Sequence, residues 1–124
     1  MSTFHAVVWM DHQEAHVVMF DREHVEAQRI RSRSLHKHQG KASDTAAFYA
    51  DVAAALTGTR EVLLTGPGLA RHAFRDWCTS HQQGIAKAVV DSITSDHPSD
   101  AQLVAMAKQY FKRFDTMATD PSLT

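Results

Sequence analysis

Cysteine is almost missing from this chain of 124 residues: Cys78 stands alone. No intramolecular disulfide can form, which suits a reducing cytoplasm. Long apolar runs are missing too, and none approaches the roughly 20 residues that cross a bilayer. Asp11, His12 and Glu14 interrupt the N-terminal apolar segment too early for a secretion signal. The expected location is therefore cytoplasmic, without a membrane partner. Nor does charge of one sign dominate, since 13 Lys and Arg face 14 Asp and Glu. That balance excludes a protein that coats nucleic acid indiscriminately. Internal repeats, low-complexity tracts and linkers are absent as well. The length fits one domain over 1–124 that buries roughly two-thirds of its unfolded surface. Residues 116–124 carry no pattern and are expected to fray.

The common chemical signatures are also lacking. No Walker sequence, GxGxxG or HExxH occurs. Nine histidines raise the question of a metal, and His36-x-His38 is the best local pair. No cysteine pair or acid-rich loop completes a site, so neither a metal nor a cofactor is expected. A magnesium nuclease needs several converging carboxylates. Asp11 ends the first predicted strand, but the fourth ends in Thr65, and Asp11 reads better as a turn residue. Asp91 and Asp96, near the end of the predicted fifth strand, read as caps of the next segment. Cys78 shares an apolar helix stripe with Trp77 and reads as buried and inert. No catalytic residue is assigned.

What the chain does have is a concentrated basic segment. Arg29 to Lys41, RIRSRSLHKHQGK, contains Arg29, Arg31, Arg33, Lys37 and Lys41, with His36 and His38 and no acid. Five of the thirteen Lys and Arg thus fall within thirteen residues. Such a cluster in a neutral chain is an electrostatic handle, and RNA is its natural partner. The candidate contact set is Arg29, Arg31, Arg33, His36, Lys37, His38, Gln39, Gly40 and Lys41. If the strand persists, Arg29, Arg31 and Arg33 line one face at ~7 Å spacing, close to the phosphate repeat of an extended strand. A solvated edge strand whose charges deter aggregation is the plainer alternative. An acidic protein partner is a third.

A second candidate is the turn Thr65-Gly66-Pro67-Gly68. A glycine turn from strand into helix exposes backbone N–H groups at the positive end of the helix dipole. Gly66, Gly68 and Arg71 would form this weak anion site, with His72 nearby. Pro67 withdraws one donor, and a tight strand-to-helix connection is the stronger reading.

Periodicity supplies the architecture. Phe4–Met10 and Ala15–Phe20 are apolar strands broken by Asp11-His12-Gln13. Asp21-Arg22-Glu23 turns into a polar third strand, His24–Ser32, suited to a sheet edge. Ser43-Asp44 can cap a helix whose apolar positions are Ala47, Phe48, Val52, Ala55 and Leu56, ending at Gly58. Arg60–Thr65 is a buried strand, followed by a helix with the stripe Leu69, Ala73, Phe74, Trp77 and Cys78. After Gly84, Ile85–Val90 reads as a strand. Ser99 and Gln102 form a capping box before a helix with Leu103, Met106, Ala107, Tyr110 and Phe114 inward. The expected fold class is α/β, ribonuclease H-like. It has a mixed five-stranded sheet of order 3-2-1-4-5, three flanking helices, and strands 1, 4 and 5 parallel.

Three segments carry a resemblance: AVVWMDHQEAHVVMF, RSLHKHQGKASDTAAFY and EVLLTGPGLARHAF. In order and spacing the chain resembles the middle domain of archaeal and eukaryotic peptide-chain release factors and of Pelota. It looks still more like small stand-alone bacterial relatives in the translational machinery component superfamily, which share a closing segment like DHPSDAQLVAMAKQYF. The resemblance covers about Phe4 to Phe114 and implies a contact with rRNA or tRNA on the ribosome. It also implies that the basic segment matches the loop in which release factors carry Gly-Gly-Gln. Here that stretch reads His38-Gln39-Gly40-Lys41, with one glycine and the glutamine before it. Paired glycines reach backbone conformations that other residues avoid, so this departure argues against retained ester hydrolysis by Gln39. The leading expectation is a non-enzymatic, translation-associated RNA-binding module. A divergent hydrolase acting on an RNA-linked ester or a small phosphate compound through Gln39, His36 or His38 is the alternative. A protein-interaction module without nucleic acid is the other.

Overall fold

The computed structural model describes residues 5–21, 24–32 and 42–119. Three strands come first: β1 (His5–Met10), β2 (Glu14–Phe20) and β3 (Val25–Arg31). Helix α1 (Ala42–Ala55), strand β4 (Glu61–Gly66) and helices α2 (Ala70–His81) and α3 (Gln83–Ala88) follow. Strand β5 (Val89–Thr94) and helix α4 (Asp100–Thr119) close the fold. The sheet order is β3-β2-β1-β4-β5, as expected. β2 pairs antiparallel with both β1 and β3, while β1 with β4 and β4 with β5 are parallel.

Two aspartates make the hairpin turns, each by copying a backbone acceptor. Asp11 Oδ1 accepts from the N–H groups of Gln13 and Glu14 at 2.8 and 2.9 Å. Asp21 Oδ1 accepts from His24 N–H at 2.7 Å. This local bonding is why short acids nucleate turns, and it assigns Asp11 the turn role expected of it.

Alternation along the central strands divides the core in two. Ala6, Val8 and Met10 of β1 join Ala15, Val17, Val62 and Leu64 beneath α1, α2 and α3. Val7 and Trp9 of β1 join Val18, Phe20 and Leu63 beneath α4. Period-two side-chain placement makes both faces of β1 apolar, as a central strand between two helical layers requires.

Among the described residues four helices flank the sheet, against three expected. The difference lies at Gln83–Ala88, where α3 replaces the first part of the predicted strand Ile85–Val90. Gln82 closes α2 by donating to Cys78 O, and its own carbonyl accepts from Ile85 and Ala86 to start α3. The alanines favour a helix, and one turn buries Ile85 in the core under α1 and α2. Extended structure begins only at the β-branched pair Val89-Val90, so Asp91 lies within β5, opposite Leu63, rather than near its end.

The helix stripes are also adjusted. In α2, Ala70, Phe74 and Cys78 are buried, whereas Ala73 is exposed and Leu69 is an exposed N-cap residue. In α4, Leu103, Ala107 and Phe111 are buried, with Met106 and Tyr110 packed against them. Phe111 was not in the predicted stripe, and Phe114 lies outside the described side chains. Ser99 and Gln102 form the capping box: each side chain accepts the other's backbone N–H, at 3.2 and 2.8 Å. The helix runs past Thr116 to Thr119. None of the described helices is long and apolar enough to cross a membrane.

Candidate nucleic-acid interface

The sheet register brings the basic segment's first two arginines to one surface. His16 pairs with Arg29 and Glu14 with Arg31. Val18 and Phe20 of β2 belong to the core under α4, so His16 and Glu14 point to that face as well. Their partners Arg29 and Arg31 share it, as the expected alternation requires. Both arginines are exposed. Ile30, between them, turns the other way and packs on the α1-side core.

Acids temper this surface. Arg29 Nε lies 4.0 Å from Glu14 Oε1. His16 sits between two carboxylates, with Nδ1 3.3 Å from Asp100 Oδ1 and Nε2 3.6 Å from Glu14 Oε1. A cleft of about 340 Å³ opens between β3 and the start of α4, lined by Trp9, His16, Arg29, His97, Pro98, Ser99 and Asp100. The Trp9 indole anchors its back wall by donating to the Asp96 carbonyl. His97 and His16 lie against the indole ring at 4.7 and 5.3 Å between centroids.

Arg33, His36, Lys37, His38, Gln39, Gly40 and Lys41 lie outside the described residues. The chain on either side of them is placed. Ser32 N–H donates to Gln13 O at 2.7 Å, tying the end of β3 to the first hairpin turn. The chain re-enters at α1, across the sheet from α4.

Gly66, Gly68 and Arg71 are also brought together, by contacts among themselves. Arg71 is buried, and Nη1 donates to the carbonyls of Gly66 and Gly68. Nε donates to Ser92 Oγ at 2.8 Å and Nη2 to Thr94 Oγ1 at 3.0 Å. The guanidinium therefore clamps the β4–α2 turn to β5. Gly66 has φ +151°, and a Cβ there would lie 2.2 Å from Met10 O. Its lack of a side chain lets β1 and the turn approach.

Sequence reading did not single out His16, Asp100 or Trp9. His16 and Asp100 are 84 positions apart and meet only through the sheet register and the placement of α4. A second polar group lies toward the other end of α4. His5 Nε2 is 2.7 Å from Glu61 Oε1, and Tyr110 O–H donates to Asp91 Oδ2 at 3.1 Å. Burial pushes the Tyr110 phenol up, helped by the bond to Asp91 and the charges of Asp91 and Glu61. Among the described residues, no three His, Cys, Asp or Glu side chains converge to hold a metal ion.

No protein-family model and no curated protein sequence matches the chain. Solved structures do. Pelota from Archaeoglobus fulgidus superposes with a TM-score of 0.65 at 16% identity, covering 88% of this chain and 32% of that one. Pelota from Thermoplasma acidophilum gives 0.60 at 24% identity, over 82% of this chain and 30% of its own. The archaeal translation termination factor aRF1 gives 0.57 at 12% identity, over 93% and 39%. At these identities the likeness is one of fold. The chain spans about a third of each of those proteins.

Proposed function

We propose that this chain is a translation-associated, non-catalytic module that contacts rRNA or tRNA on the ribosome through its basic segment 29–41. The observation that carries the reading is the pairing of fold with charge placement. A fold shared with Pelota and aRF1 holds Arg29 and Arg31 exposed on one face of an edge strand. From the end of that strand the chain continues directly into Arg33, Lys37 and Lys41. The module corresponds to the release-factor middle domain, with the Gly-Gly-Gln chemistry replaced by His38-Gln39-Gly40-Lys41. Lys and Arg neutralise phosphates and release counterions, so affinity falls steeply with salt. Glu14, 4.0 Å from Arg29 Nε, offsets part of this positive charge and keeps weak, unspecific adhesion low.

Ribosome co-sedimentation over a salt series tests this. Binding is expected at low salt, lost at high salt, and weakened at every salt by Lys37→Ala with Lys41→Ala. Absence of binding at low salt overturns the reading. A peptidyl-tRNA hydrolysis assay is expected to show no turnover. Turnover abolished by Gln39→Ala would replace the binding module with a hydrolase.

A further inference from the structure

The outer edge of β3 presents more than two arginines. Ser32 N–H donates to Gln13 O and Asp21 N–H to His24 O, and these two bonds set the phase of the β2–β3 ladder. In an antiparallel pair, bonded and unbonded residues alternate. Glu26, Gln28 and Ile30 therefore bond to β2, while Val25, Ala27, Arg29 and Arg31 turn their N–H and C=O groups outward. Among the described residues no strand lies beyond β3. The same four residues place their side chains on the α4 side, because their β2 partners Phe20, Val18, His16 and Glu14 face that way. There α4 leaves a groove of about 230 Å³, lined by His16, Ala27, Gln28, Arg29 and Asp100.

Neither a bulge nor a proline guards this edge, and its charged residues oppose only strands that do not match them. It has seven residues in unbroken register. Its outward row is graded: Val25, half exposed, and the small Ala27 come first, then Arg29 and Arg31. An antiparallel strand added here meets the arginines first and the apolar pair last. We propose that this edge binds an extended segment of a partner protein by strand addition. The segment's alternate residues read acidic-x-acidic-x-apolar-x-apolar from its N-terminus. Backbone bonds would supply affinity, and the order of charge and apolar groups would supply direction. The inference goes beyond the RNA reading, since it needs the strand's backbone edge.

A fluorescein-labelled Asp-Ser-Glu-Thr-Val-Thr-Val peptide, titrated with the full chain by polarisation, provides the test. Saturable binding is expected, with at least tenfold weaker binding of the reversed sequence. Ala27→Pro removes an outward N–H without touching the β2 ladder, and should abolish peptide binding while leaving ribosome co-sedimentation and thermal midpoint near wild type. Should that variant fail to fold, Arg29→Glu with Arg31→Glu is the second probe. It should lose the acidic peptide and gain Lys-Ser-Lys-Thr-Val-Thr-Val. No saturable binding of the acidic peptide, or binding indifferent to both variants, overturns the proposal. A concentration-dependent doubling of mass abolished by Ala27→Pro would also overturn it, because a second copy would then occupy the edge. Loss of ribosome binding in the charge-reversed variant without any peptide binding would leave the surface to RNA alone.

Discussion

Gly66 and Arg71 show how single residues hold the end of the sheet together. At Gly66 a methyl group would collide with the Met10 carbonyl, a backbone atom that cannot swing aside. Gly66→Ala is expected to cost about 3 kcal/mol, read as a lower urea midpoint at unchanged slope. Arg71→Met would take their guanidinium donor from the Gly68 carbonyl and the Ser92 and Thr94 hydroxyls, while the Gly66 carbonyl would keep only Ser95 N–H. A loss of about 3 kcal/mol is expected there too, and a Lys variant should rescue little because it lacks the planar fork. Residue type alone did not reveal this. In sequence the glycine turn reads as a tight strand-to-helix connection with Arg71 as a weak anion contact, and only the positions of Ser92 and Thr94 on a neighbouring strand show where its donors go.

At the scale of elements, legibility followed the strength of local signals. The Asp11 turn and the Ser99-Gln102 box are interactions between residues two or three positions apart, so the sequence contains both partners. Ser99→Ala should lower stability by about 1 kcal/mol, measured by thermal unfolding. Helix α3 was hidden because IAKAVV suits both states until Ile85 finds its place in the core. In α4 the expected positions Leu103, Met106, Ala107 and Tyr110 do line or border the core, and the stripe continues through Phe111, four residues after Ala107. For the proposed interface, Arg29 and Arg31 could be put on one face from alternation alone. That His16, Glu14 and Asp100 would surround Arg29 depends on pairings between distant segments.

The molecule as a whole has ionisable groups whose protonated form the fold favours. Burial raises the Cys78 thiol from 9.0 to about 11, and also raises Tyr49. Tyr110 is raised by burial, by its bond to Asp91 and by nearby carboxylates. The unfolded chain loses these protons first, so stability is expected to hold below pH 9 and to fall as pH rises towards 11. A urea midpoint series from pH 7 to 11 checks this, and Cys78→Ala should flatten the decline. Thiol reagents at pH 8 are expected to label Cys78 only after denaturant is added. The sheet order has a consequence in time. β1, β2 and β3 close through short turns at Asp11 and Asp21, whereas β1 must wait for β4, since His5 pairs with Glu61. Loop closure makes the meander the fast event and the parallel seam the slow one. During synthesis a three-stranded hairpin can therefore form with both faces of β1 still bare, so an early-arriving helix α1 would shield one face before α4 has left the ribosome.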